Sequence, residues 1–107
     1  MFTVIYDNII DTIRTVKIEI NDFEINFTYN HKLKNLYVAI NNNNFIAPKI
    51  TYEKNDFTLT FDHLIIFPNQ RQEFENTYKK CIKFCNDSKM LIDDIIDKIK
   101  NDQEVKP

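Results

Sequence analysis

Between Thr15 and Tyr29 apolar and polar positions alternate with a period of two. Val16, Ile18 and Ile20 fall on one side, with Lys17 and Glu19 on the other. Past Asn21-Asp22, the residues Phe23, Ile25, Phe27 and Tyr29 alternate with Glu24, Asn26 and Thr28. Two such runs across a two-residue polar link predict a β-hairpin with one dry face. Leu36, Val38 and Ile40 repeat the pattern, and so do Phe57, Leu59 and Phe61. Phe2 to Tyr6 reads as a short edge strand ended by Asp7-Asn8. Ile9, Ile10 and Ile13 fit either a helical turn or the approach to the next strand. Phe45 to Tyr52 reads as a strand interrupted by Pro48, which cannot donate to a ladder. Leu64 to Phe67 is a further apolar run after Asp62-His63.

After Pro68 the period changes. Phe74, Tyr78, Cys81, Ile82 and Cys85 recur every three or four residues, the stripe of an amphipathic helix. Asn69 with Gln72 suits its N-terminal cap. Asn86-Asp87-Ser88 reads as a break that caps a second helix over about Lys89 to Lys100, with Leu91, Ile92, Ile95, Ile96 and Ile99 on its apolar side.

The expected fold is α+β: an antiparallel β-meander of six or seven short strands, a twisted sheet or half-barrel, covered by two C-terminal helices. Residues 1–100 form one domain and 101–107 a polar C-terminal tail. In element order alone this resembles pleckstrin-homology-type barrels and sheet-plus-helix single-strand binders. The tryptophan of the former's closing helix and the basic strands of the latter are both missing, and the resemblance assigns no family.

Composition alters the picture in three ways. The chain has no glycine but 14 asparagines, including Asn41 to Asn44. Asn and Asp are the residues after glycine that best tolerate positive φ, so Asn is expected to make the tight turns. The absence of glycine also removes phosphate-cradling loops. A net charge of −2 gives no general attraction to nucleic acid or anionic membrane. No apolar run approaches the ~18–20 residues of a transmembrane helix, and no signal-peptide pattern follows Met1. A cytoplasmic protein is expected, with Cys81 and Cys85 as free thiols on one helical stripe.

The chemistry is sparse. Cys81, Cys85, His31 and His63 could supply four zinc ligands, but both thiols continue an apolar stripe, which favours core packing. Asp93, Asp94 and Asp97 fit the solvated side of a helix better than a hydrolytic cluster. No constellation of nucleophile, base and orienting group is visible, so no enzyme, metal or cofactor is expected. The expectation is a small non-enzymatic protein–protein interaction module, an adaptor or inhibitor of a size and composition that suit a phage or other mobile element. Its partner would be another protein or a second copy of itself. The contact would use the broad second-helix stripe: Met90, Ile92, Ile96 and Ile99, flanked by Asp93 and Asp97. The alternative is single-stranded nucleic acid, bound by Tyr37 as stacking ring with Lys32, Lys34, Lys79, Lys80 and Lys83 tracking phosphates.

Overall fold

The computed structural model describes residues 1–44, 46–61 and 67–107. Six antiparallel strands follow one another across a single sheet in chain order: β1 (Thr3–Ile10), β2 (Ile13–Ile20), β3 (Phe23–Asn30), β4 (Asn35–Asn42), β5 (Lys49–Glu53) and β6 (Asp56–Thr60). Among the described residues β1 and β6 do not pair, so they form the two edges of the described sheet. A 3₁₀ turn, Pro68–Gln70, leads into one helix, α1 (Arg71–Lys100).

The period-2 pattern sets the register. Val16, Phe27 and Val38 stand opposite one another across β2, β3 and β4, and Ile18, Ile25, Ile40, Ile50 and Leu59 form the next row as far as β6. These rows make the inner face, and α1 lies over it. The helix contributes Cys81, Phe84, Cys85, Ser88, Ile92, Ile95, Ile96 and Ile99, all buried. The rings of Phe23 and Phe84 stack with centroids 3.8 Å apart and 7° between planes. A helix of this length runs about 45 Å, and the molecule's long axis is 48 Å. Among the described residues no helix or strand packs on the opposite face of the sheet.

Three expectations change. There is one C-terminal helix, not two. Asn86-Asp87-Ser88 has the composition of a break, yet Asp87 pairs with Lys83 one turn back at 2.6 Å, and Ser88 is buried. The buried stripe passes through Thr77, Cys81, Cys85, Ser88, Ile92, Ile96 and Ile99 without losing phase, and that continuity carries the helix through. Asn69 is not the cap of α1 either: it lies within the 3₁₀ turn, the N-cap position of α1 is Gln70 without a side-chain cap bond, and Gln70 Oε1 accepts from Phe67 N–H at 3.3 Å. Finally, β1 does not end at Asp7-Asn8 but continues to Ile10, because Asp7 finds a buried cation on β2. Of the apolar run Leu64 to Phe67, all but Phe67 lies outside the described residues, as does Phe45. Phe67 is exposed and not in a strand.

The turns show how a chain without glycine reverses direction. Asp11, Asn21, Lys34, Lys54, Asn55 and Asp102 have φ between 52° and 64°. The asparagine run acts mainly through side chains. Asn42 Oδ1 accepts from Asn44 N–H at 3.0 Å, and Asn44 Oδ1 accepts from Ile46 N–H at 3.1 Å. Asn44 Nδ2 then reaches α1, donating to Thr77 Oγ1 at 3.1 Å. At the helix C-terminus, Asp102 takes the left-handed position of a Schellman closure, with Gln103 N–H on Lys98 O at 2.8 Å and Asp102 N–H on Ile99 O at 3.4 Å. The polar tail is therefore anchored: Val105 is buried in the core.

Candidate functional site

The second-helix residues expected at a partner interface divide between core and surface. Ile92, Ile96 and Ile99 are buried against the sheet. The stripe is wide because one helix covers most of a six-stranded sheet. Met90 points away and stands alone at 86% exposure. Asp97 lies on the surface, and the carbonyl of the same residue accepts from Asn101 Nδ2 at 2.8 Å. Asp93 belongs to a three-residue lock between α1 and β5. Tyr52 O–H donates to Asp93 Oδ1 at 2.5 Å, while Lys89 Nζ donates to the Tyr52 oxygen at 2.9 Å and lies 3.4 Å from Asp93 Oδ2. Burial, and then the bond to Asp93, push the Tyr52 phenol above its ordinary range. Beside the lock is an open cleft of about 530 Å³ lined by Leu36, Glu53, Lys54, Asp97 and Lys100 among others. Every polar group of the lock has a partner within it, so its chemistry is structural.

The residues expected to track nucleic acid fall into two groups. Tyr37 is exposed on the uncovered face, in the row Asn8, Thr15, Thr28, Tyr37. Lys32 and Lys34 lie in the adjoining β3–β4 turn, where Asn30 Oδ1 accepts from the N–H groups of Lys32 and Leu33. Lys79, Lys80 and Lys83 are on α1, across the sheet from Tyr37. Two of these three are paired, Lys80 with Asp22 and Lys83 with Asp87, each at 2.6 Å. The sheet separates the ring from three of its five intended cations.

Cys81 and Cys85 are buried and free. Burial, before any other cause, raises both thiols, Cys85 to about 11 with a contribution from Cys81. Among the described residues no three His, Cys, Asp or Glu side chains gather as a metal site would need. No described helix is long and apolar enough to cross a membrane.

The most unusual surface is one the sequence reading left undecided. Around the β1–β2 hairpin, Ile5, Tyr6, Ile9, Ile10 and Ile13 are all exposed, Ile9 by 62% and Ile10 by 73%. Two features create it. The register between β1 and β2 slips by one residue between Val4 and Tyr6. Val4 therefore faces inward opposite Ile18, whereas Tyr6 stands outward opposite Lys17, and Asp7 and Ile9 turn to the inner side opposite Val16 and Arg14. Arg14, 4% exposed, then binds Asp7 with two hydrogen bonds and holds the β1 end of the sheet in place. Its guanidinium is raised above its ordinary range, chiefly by the hydrogen bond to Asp7.

β1 is also a sheet edge. His31 N–H donates to Thr12 O at 2.8 Å, which fixes the parity of β2: its even-numbered residues bond to β3 and its odd-numbered ones to β1. Ile13, Thr15 and Lys17 therefore engage Ile10, Asn8 and Tyr6. The peptide groups of Asp7 and Ile9 point outward, and among the described residues none hydrogen-bonds to them. The other edge, β6, has five residues and alternates Asp56, Thr58 and Thr60 with partly buried Phe57 and Leu59. The signal in the sequence was the cluster Ile9, Ile10 and Ile13 around Asp11-Thr12, too many isoleucines for a solvated turn. Comparison of the chain with protein-family models, with curated proteins and with solved structures finds no match.

Proposed function

We propose that this protein is a small non-enzymatic protein-binding module whose contact surface is the free edge of β1 with its exposed isoleucines. One observation carries the reading: an eight-residue edge strand combines outward peptide groups with Ile5, Tyr6, Ile9 and Ile10 in solvent. An apolar edge of this kind templates another strand, and proteins that do not use such an edge shorten it, charge it or cover it. The short, more polar β6 supports the contrast. An adaptor or inhibitor acting in the cytoplasm, where thiols stay reduced, is consistent with two free cysteines. The reading involves no cofactor.

The second reading, a single-stranded nucleic-acid binder, draws support from Tyr37 on the uncovered sheet face near Lys32 and Lys34. It is the weaker one. Glu19 and Glu24 face one another across the same surface, and phosphate affinity rests on positive charge.

A tagged pull-down from the source cell, with and without nuclease, separates the two. A stoichiometric protein band that survives nuclease and moderate salt, and is lost with Ile10→Glu, supports the module. Recovery of nucleic acid alone, lost as salt rises, supports the second reading and removes the first.

A further inference from the structure

We propose that the edge of β1 pairs with β1 of a second copy of this chain, antiparallel about a two-fold axis through Asn8. The inference rests on the reading of β1 as a contact surface and goes further by naming the occupant and the register.

The argument is one of self-complementarity. Past the register slip, from Tyr6 to Ile10, only the odd-numbered residues Asp7 and Ile9 offer outward peptide groups, so hydrogen bonds across a two-fold there must join odd to odd. Three registers meet this condition within the regular part of the strand. Centred on Asp7, the pairing sets Asp7 against the same residue of the other copy. Centred on Ile9, it sets Asp7 against Asp11. Both oppose like charges across a ladder, which is destabilising. Centred on Asn8, it sets Asp7 against Ile9 twice, each pair exchanging the free N–H and C=O groups. The same register places Tyr6 against Ile10 twice on the uncovered face, with Asn8 facing Asn8 between them. Tyr6 and Ile10, both exposed in the single chain, thereby become cross-strand aromatic–aliphatic pairs, a favourable combination. In this register Asp7 meets Ile9 and keeps its own Arg14 at 2.7 Å, so no carboxylate faces another across the seam.

A two-fold through Asn8 stands perpendicular to the sheet. Both α1 helices then lie on one side of a sheet of doubled width, and Ile10 and Ile13 of each copy continue the apolar band across the seam. The interface is isologous and closed, since each copy spends the longer of the two edges found among the described residues.

Sedimentation or light scattering over a concentration series tests the proposal. Wild type should self-associate. Tyr6→Lys and Ile10→Glu, each at an exposed position, should weaken the dimer about tenfold or more, since each disrupts both symmetric pairs. The thermal unfolding of the monomer should stay unchanged for Ile10→Glu and fall slightly for Tyr6→Lys, which sets a second lysine opposite Lys17. The double variant Tyr6→Lys/Ile10→Glu should regain association, because the Asn8 register brings opposite charges face to face twice. Within one chain these two positions are about 13 Å apart and cannot pair. Ile9→Pro, which removes an outward N–H but no ladder bond to β2, should abolish dimerisation while the far-ultraviolet dichroism stays native.

A monomeric wild type, or a dimer indifferent to all four variants, overturns the proposal. A monomeric wild type whose capture of another protein is lost with Ile9→Pro overturns self-pairing but leaves the contact surface standing. If Ile9→Pro alters neither association nor capture, both fail.

Discussion

Arg14 and Asp7 join the first two strands through a two-pronged ion pair, with Nε on Oδ1 at 2.9 Å and Nη2 on Oδ2 at 2.7 Å. The same Nη2 also donates to Gln103 O at 2.9 Å, so one buried side chain ties β1, β2 and the C-terminal tail together. Removing one member of a buried pair is more costly than the pair is worth, because the other charge is stranded. Arg14→Leu should lower stability by about 3 kcal/mol and release the tail, seen as faster amide exchange and proteolysis around Val105. A raised Arg14 pKa means that its contribution is fully present below the ordinary arginine range and is lost only as pH climbs through the higher folded value. This part of the stability should therefore be flat across neutral pH.

Tyr52 gives the opposite end of the titration range. Its folded pKa lies above the ordinary 10.0, so the fold favours the protonated phenol. That stability is complete below pH 10.0 and is lost as pH rises through the folded value. Tyr52→Phe should remove this alkaline loss and leave Lys89 facing Asp93 directly. Its cost at neutral pH is about 1.5–3 kcal/mol, that of a hydrogen bond to a charged acceptor. Tyrosinate absorbance against pH, in wild type and variant, checks the assignment: a tyrosine that titrates late should disappear with the substitution.

The two thiols should be silent until the chain opens. Burial both blocks access to Cys81 and Cys85 and keeps them protonated, with Cys85 at about 11. Alkylation at neutral pH should proceed at the rate of global unfolding, and both should react at once in denaturant. Rapid labelling of either in the native protein would show that α1 lifts from the sheet.

How much of this was legible in the sequence depends on whether a signal was local. The strand core from Val16 to Ile40 was readable because a period of two permits one inward set, and the two-residue link Asn21-Asp22 set the register of β2 against β3. The helix count was misread at Asn86-Asp87-Ser88. There, local composition suggested a cap, while the longer stripe from Thr77 to Ile99 ran straight through. The exposed apolar face of β1 escaped because it depends on a one-residue slip between Val4 and Tyr6, which no periodicity encodes. Asp7 looked like a terminator until Arg14, seven residues on, proved to be its partner.

The isoleucines of the second half of α1 provide a direct check on what is core. Ile96 is 8% exposed and packs on the sheet, so Ile96→Asp buries an unpaired carboxylate and should unfold the domain. Met90→Asp, six residues away on the outward side, should change stability by less than about 0.5 kcal/mol. Thermal melts of the two variants should therefore differ widely. If Ile96→Asp instead melts like wild type, the helix does not seat as described.

The glycine-free turns should be improvable. Lys54 and Asn55 join β5 to β6 with φ of 52° and 64°, the paired left-handed geometry of a type I′ turn. Asparagine accepts that region readily, but lysine gains nothing from it and bears the clash of its Cβ with the following carbonyl. Lys54→Gly removes the clash, and glycine's greater freedom in the unfolded chain offsets part of the gain. The net expectation is a stabilisation of about 0.5–1 kcal/mol, read as a higher denaturation midpoint with an unchanged slope. The same substitution at Asn21, where φ is 52°, should bring less, because asparagine already tolerates the conformation. Equal gains at both positions would mean that side-chain strain is not what separates lysine from asparagine in these turns.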